Sequence, residues 1–196
     1  MPTNITCWGD SLTSGTGAAT GLDYPTVLSG LLGRTVFNGG NPGDTSAQIL
    51  TRVLADSTHV NDLCIFWMGR DDSPKPGNIA ANIASAVAHL GSNTKYLVMS
   101  VENAVAECKG CGGGGDALHT QIVTLNASLM ATYGIRGFDV RAFMIHQYNP
   151  VAPADVTSHW TDIPPASLLY DTVHFLATGY ALIAARLAAR ITELGW

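Results

Sequence analysis

Five short apolar runs recur along the chain, at residues 5–8, 35–37, 63–68, 96–101 and 137–140. Each has the length and composition of a strand. Between them lie longer segments whose apolar residues return every three or four positions, as helices require: 24–32, 46–54, 79–90 and 117–130. A last one, 178–194, sets Tyr180, Ile183, Leu187, Ile191 and Leu194 on one helical face, with Arg186 and Arg190 turned elsewhere. Strand alternating with helix implies a parallel sheet covered on both faces, because a parallel connection needs a crossover and a helix supplies it. The expected fold is therefore α/β, a three-layer α/β/α sandwich around a central parallel sheet of about five strands. No internal repeat and no linker divides the pattern, so a single domain over residues 1–196 is expected; a chain of that size buries about 70 % of its unfolded surface.

In such sheets the ligand crevice lies beyond the carboxyl ends of the strands. The loops that matter are then 9–21, 38–45, 69–77, 102–116 and 141–173. Ser11 stands in the first of them, within Cys7-Trp8-Gly9-Asp10-Ser11-Leu12-Thr13-Ser14-Gly15. Glycine, aspartate and serine also make ordinary turns, so this stretch alone does not distinguish a nucleophile from a strand-ending turn.

Composition narrows the partners. The chain is 46 % hydrophobic and 13 % charged, with a formal net charge of −5 and its Lys and Arg scattered singly. There is no basic stripe for a phosphate backbone and no polybasic patch for anionic lipid, so neither nucleic acid nor a membrane surface is expected as a partner. No run of about 18 apolar residues is present to span a bilayer. The start, Met1-Pro2-Thr3-Asn4, lacks the basic residues and apolar run of a secretory leader, and the sequence as given reads as cytoplasmic, with secretion by another route or a trimmed leader left open. Cys7 and Cys64 lie inside apolar runs and read as buried thiols. Cys108 and Cys111 form CKGC in a glycine-rich loop, where a local disulfide, a redox pair or two idle thiols all fit. Two cysteines make no structural zinc site, which needs about four ligands; neither metal nor cofactor is expected.

A serine hydroxyl needs a base, usually a histidine oriented by a carboxylate. His59, His89 and His119 fall in or beside helical segments away from the strand ends and read as solvent-facing or locally satisfied. His146 and His159 lie in the last long loop without a carboxylate at a telling spacing. His174 differs: in Leu168-Leu169-Tyr170-Asp171-Thr172-Val173-His174-Phe175 it directly precedes the final helix, and Asp171 three residues earlier can fold back on one turn to accept its Nδ1 proton.

Together these stretches resemble the SGNH or GDSL family of serine hydrolases. Its first block is matched by Gly9-Asp10-Ser11-Leu12, its second by Asn38-Gly39-Gly40-Asn41-Pro42-Gly43-Asp44-Thr45-Ser46, and its last by Asp171-Thr172-Val173-His174. The order and spacing cover nearly the whole chain. The resemblance implies a flavodoxin-like sheet, Ser11 as nucleophile, His174 as general base and Asp171 as its orienting partner. It also implies that the backbone N–H groups of Ser11 and Gly43 hold the oxyanion; a glycine suits the second place because the main chain can approach the substrate closely there.

One departure stands out. The family's third block supplies an asparagine whose amide is a third oxyanion donor, and the matching stretch is Phe66-Trp67-Met68-Gly69-Arg70-Asp71-Asp72-Ser73. Asp71 occupies the asparagine position. An ionised carboxylate donates nothing and repels the developing charge. Losing one such donor costs about 100- to 1,000-fold in rate, or about 3–4 kcal/mol. Three accounts are open: a protonated Asp71 donates one hydrogen bond; the two backbone donors suffice, with Arg70 partly offsetting the charge; or the site is impaired. The second is favoured, because nucleophile, base and orienting carboxylate are all retained. Arg70 and Asp72 can equally be read as a solvated loop pair.

Residues 141–173 are long for a loop and carry Trp160, Tyr148, Tyr170 and several prolines. Long loops in compact domains are commonly functional, and Trp160 and Tyr170 are expected in the pocket beside Arg70, where they would suit an aryl or sugar face. The tetraglycine at 112–115 suggests a mobile flap over the CKGC loop, or slack. The substrate implied is a small ester, short in its acyl group, an acetylated sugar or aryl ester among the candidates. The rival is an SGNH-fold carbohydrate-binding or structural module in which Asp71 has weakened the chemistry.

Overall fold

The computed structural model describes residues 4–72 and 76–196. Met1, Pro2 and Thr3, on which the leader reading rests, and Ser73, at the end of the third-block stretch, lie outside the described residues. Strands β1 (Asn4–Gly9), β2 (Thr35–Gly40), β3 (Leu63–Trp67), β4 (Tyr96–Met99) and β5 (Gly137–Phe138) form one sheet in the order β2-β1-β3-β4-β5. All four pairings are parallel. The helices are α1 (Ser11–Ser14), α2 (Tyr24–Leu32), α3 (Ser46–Ala55), α4 (Ile79–His89), α5 (Gly113–Tyr133), α6 (Val140–Ile145), α7 (Pro153–Trp160) and α8 (Ala177–Glu193). The chain runs from β1 outward to β2, then returns across β1 to place β3 on its other side. That reversal of direction opens the crevice at the carboxyl ends of β1 and β3.

Alternation along the strands splits the core in two. Ile5, Cys7, Ile65, Trp67, Leu97 and Met99 face one way and pack with Leu28 of α2 and with Tyr180, Ile183, Leu187 and Ile191 of α8. Trp8, Cys64, Phe66 and Val98 face the other way, against Ile49 and Val53 of α3, Ile83 and Ala86 of α4, and Ile122 and Leu129 of α5. A strand buried on both faces has every position apolar, which is why β3 reads Leu-Cys-Ile-Phe-Trp without a polar break. The three-layer sandwich is thus built as the sequence pattern requires. No helix among the described residues is long and apolar enough to cross a membrane.

Two expectations change. Residues 141–173 are not a loop throughout: they include most of α6, all of α7 and a 3-10 turn at Ala166–Leu168. Pro153 begins α7, since its fixed φ suits a first helical turn that needs no N–H from it. The glycine run is not a flap either, because Gly113 to Gly115 form the first turn of α5. Just before it, Cys108 and Cys111 are joined in a disulfide, while the Asp116 carboxylate accepts the N–H groups of Gly110 and Gly112. Cys7 and Cys64 are buried free thiols, as expected.

One buried group gives the fold a pH dependence. Glu102, just past β4, is 1 % exposed, and neither carboxyl oxygen has a hydrogen-bond partner among the described residues. Burial pushes it from its ordinary 4.5 up to about 8, against the pull of Arg141 and Arg70. A carboxyl raised in the folded state favours folding below about pH 4.5, and that contribution is lost as pH rises toward 8. Replacing it by an uncharged isostere removes the loss. In thermal unfolding, Glu102→Gln is expected to match wild type near about pH 4.5 and to melt several degrees higher near pH 8; a constant gap at all pH values would show that Glu102 ionisation is not linked to folding.

Candidate active site

The site is assembled at the ends of β1, β2 and β3 and completed by the segment before α8. Asp10 follows β1 and caps α1, its Oδ1 accepting the Leu12 N–H at 2.9 Å. The cap makes Ser11 the first helical residue and fixes its side chain at the rim of the sheet. α1 can lie there only because Gly40 at the end of β2 has no side chain: a Cβ would run into the backbone of Thr13 and Ser14. Asp10 is 1 % exposed. Burial raises its carboxyl to about 7, although the Leu12 N–H donates to it and the backbone and charge of Arg70 also act to lower it.

His174 arrives from the other end of the sequence. Leu169 and Phe175 form an antiparallel bridge, the Tyr170 N–H donates to the His174 carbonyl at 2.8 Å, and the enclosed turn carries Asp171. Asp171 Oδ1 accepts the N–H groups of Val173 and His174, each at 2.8 Å, and Oδ2 lies 2.7 Å from His174 Nδ1. Partial burial works to raise this carboxyl, but the bonds from His174 and Val173 outweigh it and hold the group below its usual range. His174 Nε2 then stands 2.8 Å from Ser11 Oγ, a contact between residues 163 positions apart.

A cleft of about 430 Å³ opens over this line, walled by Ser11, Thr16, Pro42, Gly43, Arg70, Asp71, Val173 and His174. Gly43 takes φ +84°, a left-handed conformation that strains any residue with a Cβ, and space is open around it. Ser11, Gly43, Asp71, Arg70 and His174 are therefore brought together as the sequence suggested. Trp160 and Tyr170 are not: they are 74 % and 62 % exposed, and neither lines the cleft. Trp160 ends α7, its ring set edge-on to His159, and Tyr170 lies over Gly17.

Arg70 and Asp72 are not a solvated pair. The Arg70 guanidinium is 8 % exposed and forks onto Glu107 with two bonds of 2.6 Å, while Nη1 also donates to the Glu102 carbonyl at 2.5 Å. Asp72 accepts the Ser46 N–H at 2.6 Å and the Ser46 hydroxyl at 2.7 Å at the start of α3. Asp71, between them, has a buried Oδ2 with no hydrogen-bond partner among the described residues. Burial raises its pKa, the charges of Arg70 and His174 lower it, and those of Asp72 and Asp44 raise it again.

The other histidines are satisfied elsewhere. His59 pairs with Asp56 and stacks on Phe37, His89 meets the Asp56 carbonyl, and His146 and His159 meet carbonyls of α6. His119 lies 2.7 Å from Asp162, which also takes Arg141; 43 positions separate the pair, a distance that local spacing cannot reveal. Glu107 was missed for the same reason, and Thr16, Pro42 and Val173 carry no chemistry that would mark them as cleft walls. Among the described residues no group of three or more His, Cys, Asp or Glu could hold a metal ion.

A parallel α/β sheet with a hydrogen-bonded Ser–His–Asp line at its carboxyl end is an arrangement of hydrolases. The profile of the GDSL-like Lipase/Acylhydrolase family matches residues 7–182, and the chain belongs to that family. Solved structures of similar fold include a G-D-S-L family protein from Desulfitobacterium hafniense, at 18 % identity and TM-score 0.72, covering 96 % of this chain and 99 % of that one. A lipase/acylhydrolase from Enterococcus faecalis follows at 20 % identity and TM-score 0.68, with 98 % and 96 % covered. A member of the lipolytic G-D-S-L family from Veillonella parvula is similar at 18 % identity and TM-score 0.65, with 97 % and 96 % covered. No curated protein sequence is significantly similar to the chain.

The clamp on Arg70 makes a stability prediction. Removing one partner of a buried ion pair leaves a buried charge uncompensated and costs about 3–5 kcal/mol. Glu107→Ala should lower the unfolding free energy by that order in denaturant titration, and Arg70→Met combined with Glu107→Leu should recover much of it. Equal losses in the single and double variants would show that the pair is not the source.

Proposed function

We propose that the chain is a serine esterase that removes short acyl groups, such as acetyl, from alcohols through an acyl-enzyme. The observation that carries this reading is the unbroken line from Asp171 through His174 to Ser11 Oγ, facing an open cleft. With Nδ1–H directed at Asp171, Nε2 is left as an acceptor for the Ser11 hydroxyl proton. Oγ attacks the acyl carbon as that proton passes to Nε2, and the carbonyl electrons move onto oxygen. The N–H groups of Ser11 and Gly43 receive the oxyanion, with Asp71 at the third position where relatives carry asparagine. Collapse breaks the bond to the alcohol, which leaves with the proton from Nε2. Water then attacks the acyl-enzyme by the same route in reverse.

The cleft supports a small acyl group and an exposed leaving group. Among the described residues its walls, apart from Ser11, Arg70, Asp71 and His174, are Thr16, Pro42, Gly43 and Val173, none of which carries an aromatic ring that would fill it. A sugar or aryl alcohol would project toward solvent. The rival reading, a binding module weakened by Asp71, has only that one residue in its favour, whereas the complete Ser–His–Asp line favours catalysis.

Hydrolysis of p-nitrophenyl acetate tests the assignment. Ser11→Ala and His174→Ala should each lower kcat by at least about 1,000-fold. Asp171→Ala should cost less, because its side chain is 43 % exposed and water can stand in for part of its role. Turnover that is absent, or unaffected by Ser11→Ala, would favour the binding module.

A further inference from the structure

Among the described residues the buried Oδ2 of Asp71, in the cleft wall, has no hydrogen-bond partner, and its surroundings explain why. Among the described residues, Arg70 and Arg52 both have other partners. Arg70, its neighbour in the chain, is committed to Glu107 and to the Glu102 carbonyl behind the cleft wall. Arg52, on α3, serves Asp44 and the carbonyls of Gly9 and Gly39. The groups facing Asp71 from the packed elements are otherwise acidic or shared: Asp10 at the end of β1, Asp44 before α3, Asp72 beside it, and His174 before α8. A carboxylate in this setting has no donor for its buried Oδ2, while a carboxylic acid needs none there.

We infer that Asp71 works as a neutral acid, its O–H pointing into the cleft as the third hydrogen-bond donor to the oxyanion formed on Ser11. The inference rests on the esterase reading above and deepens it. No proton is transferred from Asp71 in the step: the Ser11 proton goes to His174 Nε2 and from there to the leaving alcohol, while the Asp71 proton stays on its own oxygen and bonds the substrate oxygen. Its raised pKa is in keeping with this.

The consequence is a pH profile of unusual shape. The competent state needs a proton on Asp71 and none on His174, so the two groups together must hold one proton. A pair that holds one proton is populated only between two titrations, which makes the rate bell-shaped. If Asp71 were an ionised bystander, the rate would rise as His174 loses its proton and then stay level. Asparagine at this position donates at any pH, so its profile should be that simple rise.

The experiment is kcat/KM for p-nitrophenyl acetate, corrected for spontaneous hydrolysis, in wild type, Asp71→Asn, Asp71→Ala and Ser11→Ala across about pH 4 to 9. The expected result is a wild-type rate that falls about tenfold per pH unit on the alkaline side of its optimum. That fall should be absent in both Asp71 variants, and wild type returned from alkaline buffer should regain its full rate at the optimum. A wild-type profile that rises to the same plateau as Asp71→Asn overturns the inference while leaving the esterase reading intact. An alkaline fall that persists in either variant, or that does not reverse, also overturns it, since the loss then comes from another group or from unfolding. Turnover insensitive to Ser11→Ala would instead remove the esterase reading itself.

Discussion

The buried carboxyl of Asp10 is the joint on which the site depends. It accepts the Leu12 N–H, in the turn that follows β1, and it feels the backbone amide and the charge of Arg70, in the turn that follows β3. The two strands are neighbours in the sheet, so a single side chain sets the Ser11 turn against the Asp71 turn. Parallel strand ends also leave carbonyls that need donors. Arg52 meets that need from α3, reaching the carbonyls of Gly9 and Gly39 at 2.9 and 2.7 Å while stacking its guanidinium 5.6 Å from the Trp8 ring. Loops at this edge are thus fixed by charged side chains placed behind them, and the rim of the cleft remains open above.

Much of this was legible in the chain because it is local. The apolar runs become β1 to β5 with small shifts at their ends, and the periodic segments become α2, α3, α4, α5 and α8. Asp171 and His174 are three positions apart, so one turn suffices to join them. What was not legible falls into two kinds. Short helices such as α6 and α7 have too few turns for periodicity to stand out, and the prolines around α7 look like loop residues until one of them is seen to start a helix. Long-range pairs such as Arg70 with Glu107 and His119 with Asp162 leave no trace in spacing at all. Trp160 misled for a third reason: its residue type suggested a substrate wall, but type does not say which way a helix end points.

Arg70 and Asp71 show how far neighbours in sequence can part. Their side chains leave the same 3-10 turn, yet one is clamped into the body by Glu107 and the other keeps a buried oxygen without a hydrogen-bond partner among the described residues. Charge compensation that seems assured in the sequence Gly69-Arg70-Asp71-Asp72 is dispersed in three directions: to Glu107, to the cleft and to Ser46. Adjacent opposite charges in a loop are therefore poor evidence of an ion pair. Arg70 still lowers the Asp71 pKa by its charge, while its guanidinium bonds go to Glu107 and the Glu102 carbonyl.

The bridge between Leu169 and Phe175 turns the last segment before α8 into a closed loop with its own internal bonds. Asp171 is held by two amides of the same loop, and His174 by Asp171, so the relation between these two side chains owes nothing to the sheet. Ser11, by contrast, is placed by β1 and its capping aspartate. The machinery therefore consists of two prefabricated parts that meet at one contact, Nε2 to Oγ. Errors of assembly concentrate at that junction: a small slip of α8 against α2 would leave each half correct and break only the link between them.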